Sequence, residues 1–179
     1  MHKLWLFSLQ LRGMHRLKNM FLMPNRKGVI MKDLFKNYYG HEVKIQLVKE
    51  SKPIKAYQIR SSEDAYRFVK HEISVFDREV FYVITLNSKN KVLGINMVSL
   101  GSLTSSLVHP REVFKSAILQ NSASIILIHN HPSGDPAPSQ DDIEITQRLK
   151  VVGDSLGIKI LDHIIVGNTF FSFVDSKML

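Results

Sequence analysis

The chain contains no cysteine among its 179 residues, and this absence excludes several kinds of chemistry. Disulfide bonds, thiol catalysis and zinc sites built on cysteine all need the missing side chain. The zinc deaminases are excluded as well, because their signature includes a Cys-x-x-Cys pair. A chain without cysteine is compatible with a reducing compartment, and we expect a cytoplasmic protein.

Long apolar runs are also absent. No stretch reaches the roughly 18 apolar residues of a membrane-spanning helix, so we expect no membrane span. The composition, 44% hydrophobic and 22% charged, is typical of a globular domain of ordinary size.

Acidic residues are missing from the first 30 positions, which supply six of the eight net positive charges. We predict that residues 1–41 form a basic, poorly ordered extension and that residues 42–179 form the folded domain. The domain is nearly balanced in charge, so contact with nucleic acid is expected only through the basic tail. Leu4–Leu11 is apolar but lacks a signal-peptidase cleavage site, so secretion is not expected. An amphipathic helix on a membrane surface or a partner is the alternative for this segment.

The segment Ile125–Asp142, IILIHNHPSGDPAPSQDD, contains two histidines and a carboxylate at close spacing. Its β-branched start predicts a buried strand, and His129 and His131 share a face because strand side chains alternate. A turn-rich loop follows, and a helical pattern begins after Ser139 with Asp142 in its first turn. If the loop folds back, two imidazoles and one carboxylate can hold a divalent ion and leave one coordination position open, as catalytic zinc requires.

Each of these residues also has a structural interpretation. Ser139-x-x-Asp142 is a variant of the capping box, and an aspartate in the first helical turn suits the helix dipole without any metal. The two histidines can be hydrogen-bonded polar residues at a strand end. The interpretations are compatible, because Ser139 can cap the helix and still face an ion.

The stretch HNHPSGDPAPSQDD resembles the signature of the JAB/MPN (JAMM) metalloproteases. The flanking VHPREVFKSAILQNSAS and LDHIIVG resemble the RadC-like branch of that superfamily. The resemblance covers about residues 61–174. It implies that His129, His131 and Asp142 bind Zn²⁺.

The resemblance also implies two catalytic roles. Ser139 matches the serine that assists at the developing oxyanion, and Glu79 best matches the glutamate that acts on zinc-bound water. By position alone, Glu79 is better explained as an exposed charge beside Arg78, and it is the resemblance that favours the catalytic role. Glu112 is a competing candidate, although its place after Pro110 also suits the acidic first turn of a helix.

The activity implied by the resemblance is that of a zinc metallopeptidase acting on a peptide or an isopeptide-linked protein. Three alternatives stay open. One is a catalytically silent module that binds a metal or a partner. Another is an accessory protein in DNA repair or processing, although no glycine pattern typical of a helix-hairpin-helix precedes the domain. The third is a non-haem iron oxygenase, which also uses two histidines and a carboxylate. The oligomeric state is not predicted.

The remaining patterns predict an α+β fold, a mixed β-sheet flanked by helices. The resemblance implies a JAB/MPN-like fold with cytidine-deaminase-like layering. We expect strands over Glu42–Glu50, residues 80–84, Val92–Leu100 and Ile158–Val166, and a last strand near Phe170–Phe173. Helices are expected after Ser61, with Ser61-x-x-Asp64 as a capping box, from Pro110 and after Ser139, with Gly157 as the final cap.

The predicted buried helix faces are apolar stripes: Ala65, Phe68, Val69 and Ile73; Val113, Phe114, Ala117 and Ile118; Ile145, Leu149, Val152 and Leu156. Two more histidines, His109 and His163, are further candidates for the site. His163 follows Asp162 and is either a residue that orients a metal ligand or a hydrogen-bonded core histidine.

Overall fold

The computed structural model describes residues 57–101 and 108–179. The predicted extension over residues 1–41, the predicted strand over Glu42–Glu50 and most of the connection over Gly101–Val108 lie outside the described residues. The boundary between residues 41 and 42 therefore stays a prediction.

A five-stranded mixed sheet forms the centre of the described residues. Its strands are β1 (Val80–Leu86), β2 (Val92–Leu100), β3 (Ser124–Asn130), β4 (Lys159–Val166) and β5 (Phe170–Ser172). They lie in the order β2-β1-β3-β4-β5. Among these neighbouring strands, only β3 and β4 run parallel. The carboxyl ends of these two interior strands therefore lie side by side at the same end of the sheet.

Within residues 57–101 and 108–179, three helices cover the two faces of the sheet. They are α1 (Ser62–Ile73), α2 (Pro110–Leu119) and α3 (Gln140–Leu156). Helix α1 packs on one face with Val80, Ile84, Ile126, Ile128 and Ile164. Helices α2 and α3 pack on the other face with Phe81, Val83, Ile125 and Leu127. The predicted α+β class, a mixed sheet with flanking helices, is confirmed.

Strand β3 is buried over its whole length, from Ser124 to Asn130. Its isoleucine and leucine side chains alternate between the two apolar clusters. A strand covered by helices on both faces needs such a continuous apolar run. The same alternation directs His129 toward α2 and α3, and Asn130 toward the opposite face.

The predicted helix starts are confirmed, with one correction. Ser61 caps α1 by accepting the Asp64 N–H at 3.1 Å. The Asp64 carboxylate, however, accepts the N–H of Arg60 rather than that of Ser61, so the predicted reciprocal capping box at this helix is wrong. Gly157 ends α3 with a φ of 68°, a left-handed conformation that favours glycine.

Two residues predicted to be buried are exposed. Ile118 is 53% exposed and Leu156 is 46% exposed. The buried stripe of α3 keeps the predicted Ile145 and Leu149 but also contains polar and small residues, namely Asp142, Thr146 and Gly153. At Gly153 an added Cβ would lie 2.7 Å from the carbonyl oxygen of Ile158. The apolar pattern alone therefore did not predict the buried face of α3 correctly. At Gly153 the helix lies so close to the backbone of Ile158 that there is no room for a side chain.

Among the described residues, no helix combines the length and the hydrophobicity that crossing a membrane requires.

Candidate metal centre

The end of β3 and the first turn of α3 meet at one place. His129 Nε2 lies 3.1 Å from His131 Nε2 and 3.2 Å from Asp142 Oδ1. His131 Nε2 lies 3.4 Å from Asp142 Oδ2. The expected convergence of two imidazoles and a carboxylate is confirmed, and together they form a group that can hold a metal ion.

Asp142 also takes part in the cap of α3. Its Oδ2 accepts the N–H of Ser139 at 2.8 Å and the Ser139 hydroxyl at 2.6 Å. The Ser139 Oγ in turn accepts the Asp142 N–H at 3.2 Å. The reciprocal capping box and the contact with the histidines therefore coexist. The cap orients the carboxylate that faces the imidazoles.

His131 is held by the loop that follows β3. Its Nδ1 donates to the carbonyl of Asp135 at 2.8 Å, which leaves Nε2 free to face Asp142. The His131 N–H donates to the carbonyl of Val166 at 2.8 Å. An added Cβ on Gly167 would lie only 2.4 Å from the Gly134 carbonyl oxygen. This close approach packs the loop against the turn after β4, and that turn must lack a side chain there.

The candidate donor groups are spaced as zinc ligands are. With Zn–N bonds of about 2.0–2.1 Å, neighbouring corners of a tetrahedral site lie about 3.3–3.4 Å apart. The two imidazole nitrogens are 3.1 Å apart, and each lies 3.2 or 3.4 Å from a different oxygen of the Asp142 carboxylate. Two imidazole nitrogens and a carboxylate oxygen at these distances are all acceptors when unprotonated, and a shared cation removes their mutual repulsion. The residues therefore fit a divalent ion.

The surroundings favour the ionic states that a metal site needs at His129 and Asp142, but not at His131. Burial lowers the pKa of His129, whose side chain is fully buried, so its neutral form is favoured. Burial alone would raise the pKa of Asp142, but hydrogen bonds with His129, His131 and Ser139 hold it well below its usual range. The hydrogen bond with Asp142 raises the pKa of His131. A neutral imidazole and an ionised carboxylate are the ligand forms that metals bind.

Glu79 lies at the amino end of β1, next to the histidines. Phe81 pairs with His129 across β1 and β3, and continuing this antiparallel register by two residues places Glu79 opposite His131. Alternation along the strand puts Glu79 on the same face as His129. Its negative charge adds to the raised pKa of His131 and acts against the larger effect of burial on the pKa of His129, which agrees with a position close to them.

Asn130 forms hydrogen bonds with the backbone on both sides of Glu79. Its Oδ1 accepts the Val80 N–H at 2.7 Å, and its Nδ2 donates to the Arg78 carbonyl at 3.1 Å. Asn130 is only 4% exposed, so water does not compete for these two bonds. Strand alternation directs this side chain away from the histidines, and the sequence pattern indicated no role for it. A polar residue between two candidate ligands at the end of a buried strand is the feature that could have pointed to Asn130.

Two other candidates lie away from this group. Glu112 is in the first turn of α2, where it pairs with Arg111 and Lys115. His109 caps the same helix, and its Nδ1 accepts the Arg111 N–H at 3.1 Å. The structure thus supports the helix-start interpretation for Glu112, and it places His109 at the start of the same helix.

His163 is a buried residue that contacts the site. Its Nε2 lies 2.8 Å from His129 Nδ1, and its Nδ1 lies 2.6 Å from the hydroxyl of Thr146. The side chain of Asp162 does not hold the His163 ring, because its carboxylate accepts from Ser172 and from the N–H groups of His163 and Val174. Thr146 was missed in the sequence, where it only interrupts an apolar stripe.

The comparison with known families agrees with this geometry. The family model described as RadC-like JAB domain matches residues 59–178. The chain belongs to the RadC-like JAB domain family. The match includes the whole sheet, the three helices and every residue of the candidate metal centre. The resemblance to the RadC-like branch is thereby confirmed.

Curated relatives of this RadC-like chain are close in sequence. A UPF0758 protein of Desulforudis audaxviator is 55% identical over 114 residues, which cover 64% of this chain and 50% of the relative. One from Desulfitobacterium hafniense is 52% identical over 130 residues, covering 72% and 57%. One from Moorella thermoacetica is 52% identical over 121 residues, covering 68% and 53%. The chain spans about half the length of these relatives, and their name states no activity.

Proposed function

We propose that this chain is a zinc-dependent hydrolase of peptide or isopeptide bonds. The observation that carries the proposal is the meeting of His129, His131 and Asp142 at separations of 3.1–3.4 Å. Nε2 of each histidine and an oxygen of Asp142 would hold the ion. Three protein ligands are typical of catalytic zinc, whereas structural zinc takes four.

The protein side of the reaction follows from the residues around this group. A bound Zn²⁺ supplies a Lewis acid that polarises a carbonyl and lowers the pKa of water in its open position toward about 7. Glu79 would accept the proton that the attacking water loses and pass it to the leaving amine. The water oxygen adds to the carbonyl carbon, the carbon–nitrogen bond breaks, and the products are a carboxylate and an amine.

The position of Glu79 supports its role as general base. It lies opposite His131 by strand register, and Asn130 holds the peptide groups of Arg78 and Val80 on either side of it. A general base must stay within hydrogen-bonding reach of its proton, and a fixed backbone makes that possible. Cleavage is therefore proposed to occur at the edge of the sheet where β1 begins and β3 ends.

Ser139 is proposed to stabilise the oxyanion that forms on the carbonyl. Its hydroxyl lies 2.6 Å from Asp142 Oδ2, directly beside the proposed ion. A hydroxyl that donates to the developing negative charge contributes about 3 kcal/mol to transition-state stabilisation in comparable sites. The same residue caps α3, so the cap and the proposed catalytic role depend on one side chain.

Glu79→Gln separates metal binding from catalysis. Glutamine keeps the size of the side chain but cannot accept the proton, so we expect bound zinc to remain stoichiometric while kcat falls about 10²–10⁴-fold. Turnover would be measured on a peptide library and on an isopeptide-linked peptide pair, and zinc by elemental analysis. The matched control is Glu112→Gln, which changes a glutamate that pairs with Arg111 and Lys115 on α2 and should leave both quantities unchanged.

Each other outcome is informative. Unchanged turnover in Glu79→Gln would remove this residue from the mechanism. Stoichiometric zinc with no cleavage of either substrate by the wild-type protein would contradict the hydrolase and favour a metal-binding module. Iron in place of zinc in the purified protein would contradict the assignment of the metal.

A further inference from the structure

A chain of hydrogen bonds behind the candidate metal centre joins two of its ligands. His129 Nδ1 lies 2.8 Å from His163 Nε2, and His163 Nδ1 lies 2.6 Å from Thr146 Oγ1. The Thr146 hydroxyl lies 2.5 Å from the carbonyl oxygen of Asp142. The chain therefore starts at one ligand, His129, and ends at the backbone of another, Asp142.

The carbonyl oxygen of Asp142, at the end of this series of hydrogen bonds, determines which atom donates and which accepts in each bond. A carbonyl oxygen only accepts, so the Thr146 hydroxyl donates to Asp142 and accepts from His163 Nδ1–H. A neutral histidine carries one ring N–H, so His163 Nε2 has no proton and accepts from His129 Nδ1–H. The same rule then leaves His129 Nε2 without a proton, and this is the atom that faces His131 and Asp142.

The packing around the chain prevents other partners from replacing these bonds. His129, His163 and Thr146 are each 0% exposed. The ring of Phe173 stacks on His163 at 4.9 Å, and the ring of Phe81 stacks on His129 at 6.0 Å. A buried polar group without a partner costs about 1–3 kcal/mol, so each donor in this enclosed chain depends on the acceptor next to it.

We propose that Thr146 and His163 are positioning residues that fix the tautomer of His129, keeping its proton on Nδ1 and leaving Nε2 free to bind the metal. The inference rests on the proposed metal site but not on hydrolysis. It assigns a role to two buried residues on α3 and β4, neither of which touches the proposed ion.

Loss of the Thr146 hydroxyl should reverse the donor and acceptor roles in the hydrogen bond between His163 and His129. In Thr146→Val, the His163 Nδ1–H would have no acceptor. The proton of His163 is then better placed on Nε2, where it donates to His129 Nδ1. This moves the His129 proton to Nε2, where the Asp142 carboxylate accepts it 3.2 Å away. A proton at that atom competes directly with the metal.

The experiment combines the tautomer state with zinc affinity. Long-range ¹H–¹⁵N correlation spectra of zinc-free protein labelled at histidine would show which ring nitrogen of His129 carries the proton. Competition with a chromophoric chelator would give the zinc affinity. For Thr146→Val we expect the proton on Nε2 and an affinity about 10–100-fold weaker, the usual range for loss of such an outer hydrogen-bond partner.

Two variants serve as controls. Thr146→Ser keeps a hydroxyl and should restore the Nδ1–H tautomer and near wild-type affinity. Thr85→Val removes another fully buried threonine hydroxyl, which donates to the Gly94 carbonyl at 3.1 Å and belongs to β1 far from His129. It should lower stability without changing either readout.

The inference is overturned if Thr146→Val keeps the wild-type tautomer, or if Thr85→Val weakens zinc binding equally. Its failure is distinguishable from failure of the proposed function. A wild-type protein that binds no zinc would contradict the metal site, while the His129 tautomer in the zinc-free protein would still decide the inference.

Discussion

Helices α1 and α3 begin with the same local sequence motif but serve different purposes. Each has a serine N-cap and an aspartate three residues later, Ser61 with Asp64 and Ser139 with Asp142. In α1 the aspartate carboxylate accepts the Arg60 N–H at the protein surface. In α3 it closes the capping box and faces two histidines, with its side chain only 6% exposed.

The difference teaches that a capping motif does not decide where its carboxylate points. The buried face of α1 is formed by Ala65, Tyr66, Val69 and Ile73, so this helix contributes packing. The buried face of α3 carries Asp142 and Thr146 beside its apolar residues. Burying polar groups costs free energy unless they are paired, and here the pairing partners are His129, His131 and His163.

The largest difference between the two helices is expected in zinc affinity when each aspartate is replaced. Asp142→Ala should weaken zinc binding by more than the roughly 100-fold that loss of an outer partner can cost, because a ligand is lost. Asp64→Ala removes the equivalent carboxylate of α1 and should leave the affinity unchanged. Chelator competition measures both. Equal zinc affinity in the two variants would contradict the assignment of Asp142 as a ligand.

A substitution in the apolar face of α1 tests whether this helix contributes to stability without contributing to the metal centre. Ile73 is 0% exposed, so Ile73→Ala should lower the free energy of unfolding by about 2–5 kcal/mol through lost burial and a cavity. Urea unfolding monitors this change. The zinc affinity of the folded protein should stay within about twofold of wild type, since α1 packs on the opposite face. A much weaker affinity would show that α1 also supports the site.

The smallest effects are expected at the two caps. Ser61→Ala and Ser139→Ala should each lower the free energy of unfolding by about 1 kcal/mol, the usual contribution of an N-cap. Ser139→Ala should also weaken zinc binding, by up to about 10-fold, because the hydroxyl that donates to Asp142 Oδ2 at 2.6 Å is gone. Thermal unfolding with and without zinc separates the two contributions. If zinc stabilised both variants equally, the cap of α3 would have no special link to the metal.

Much of the fold was predictable because its signals are local. The apolar run before His129 indicated a buried strand, and the serine caps, Pro110 and Gly157 indicated where helices begin and end. Errors arose where burial depends on the neighbouring element. Ile118 and Leu156 extend apolar stripes yet are exposed, whereas Gly153 and Thr146 are buried because β4 and His163 lie against them.

The candidate metal centre was predictable in part for the same reason. Its three proposed ligands lie within 14 residues, and strand alternation plus one loop is enough to bring them together. Glu79 was reached only through the family resemblance, since it lies 50 residues before His129 and depends on the pairing of β1 with β3. Thr146 and Gly167 carried no recognisable signal.

The sequence by itself determined the donor set, because the alternation of a strand and the start of a helix depend only on neighbouring residues. The tertiary structure decided the rest: which carboxylate of two similar capping motifs turns inward, and which groups the two ring nitrogens of His129 face. Both depend on atoms brought together from strands and helices distant in sequence. Hydrogen bonds and burial act over a few ångströms of space, whatever the separation along the chain.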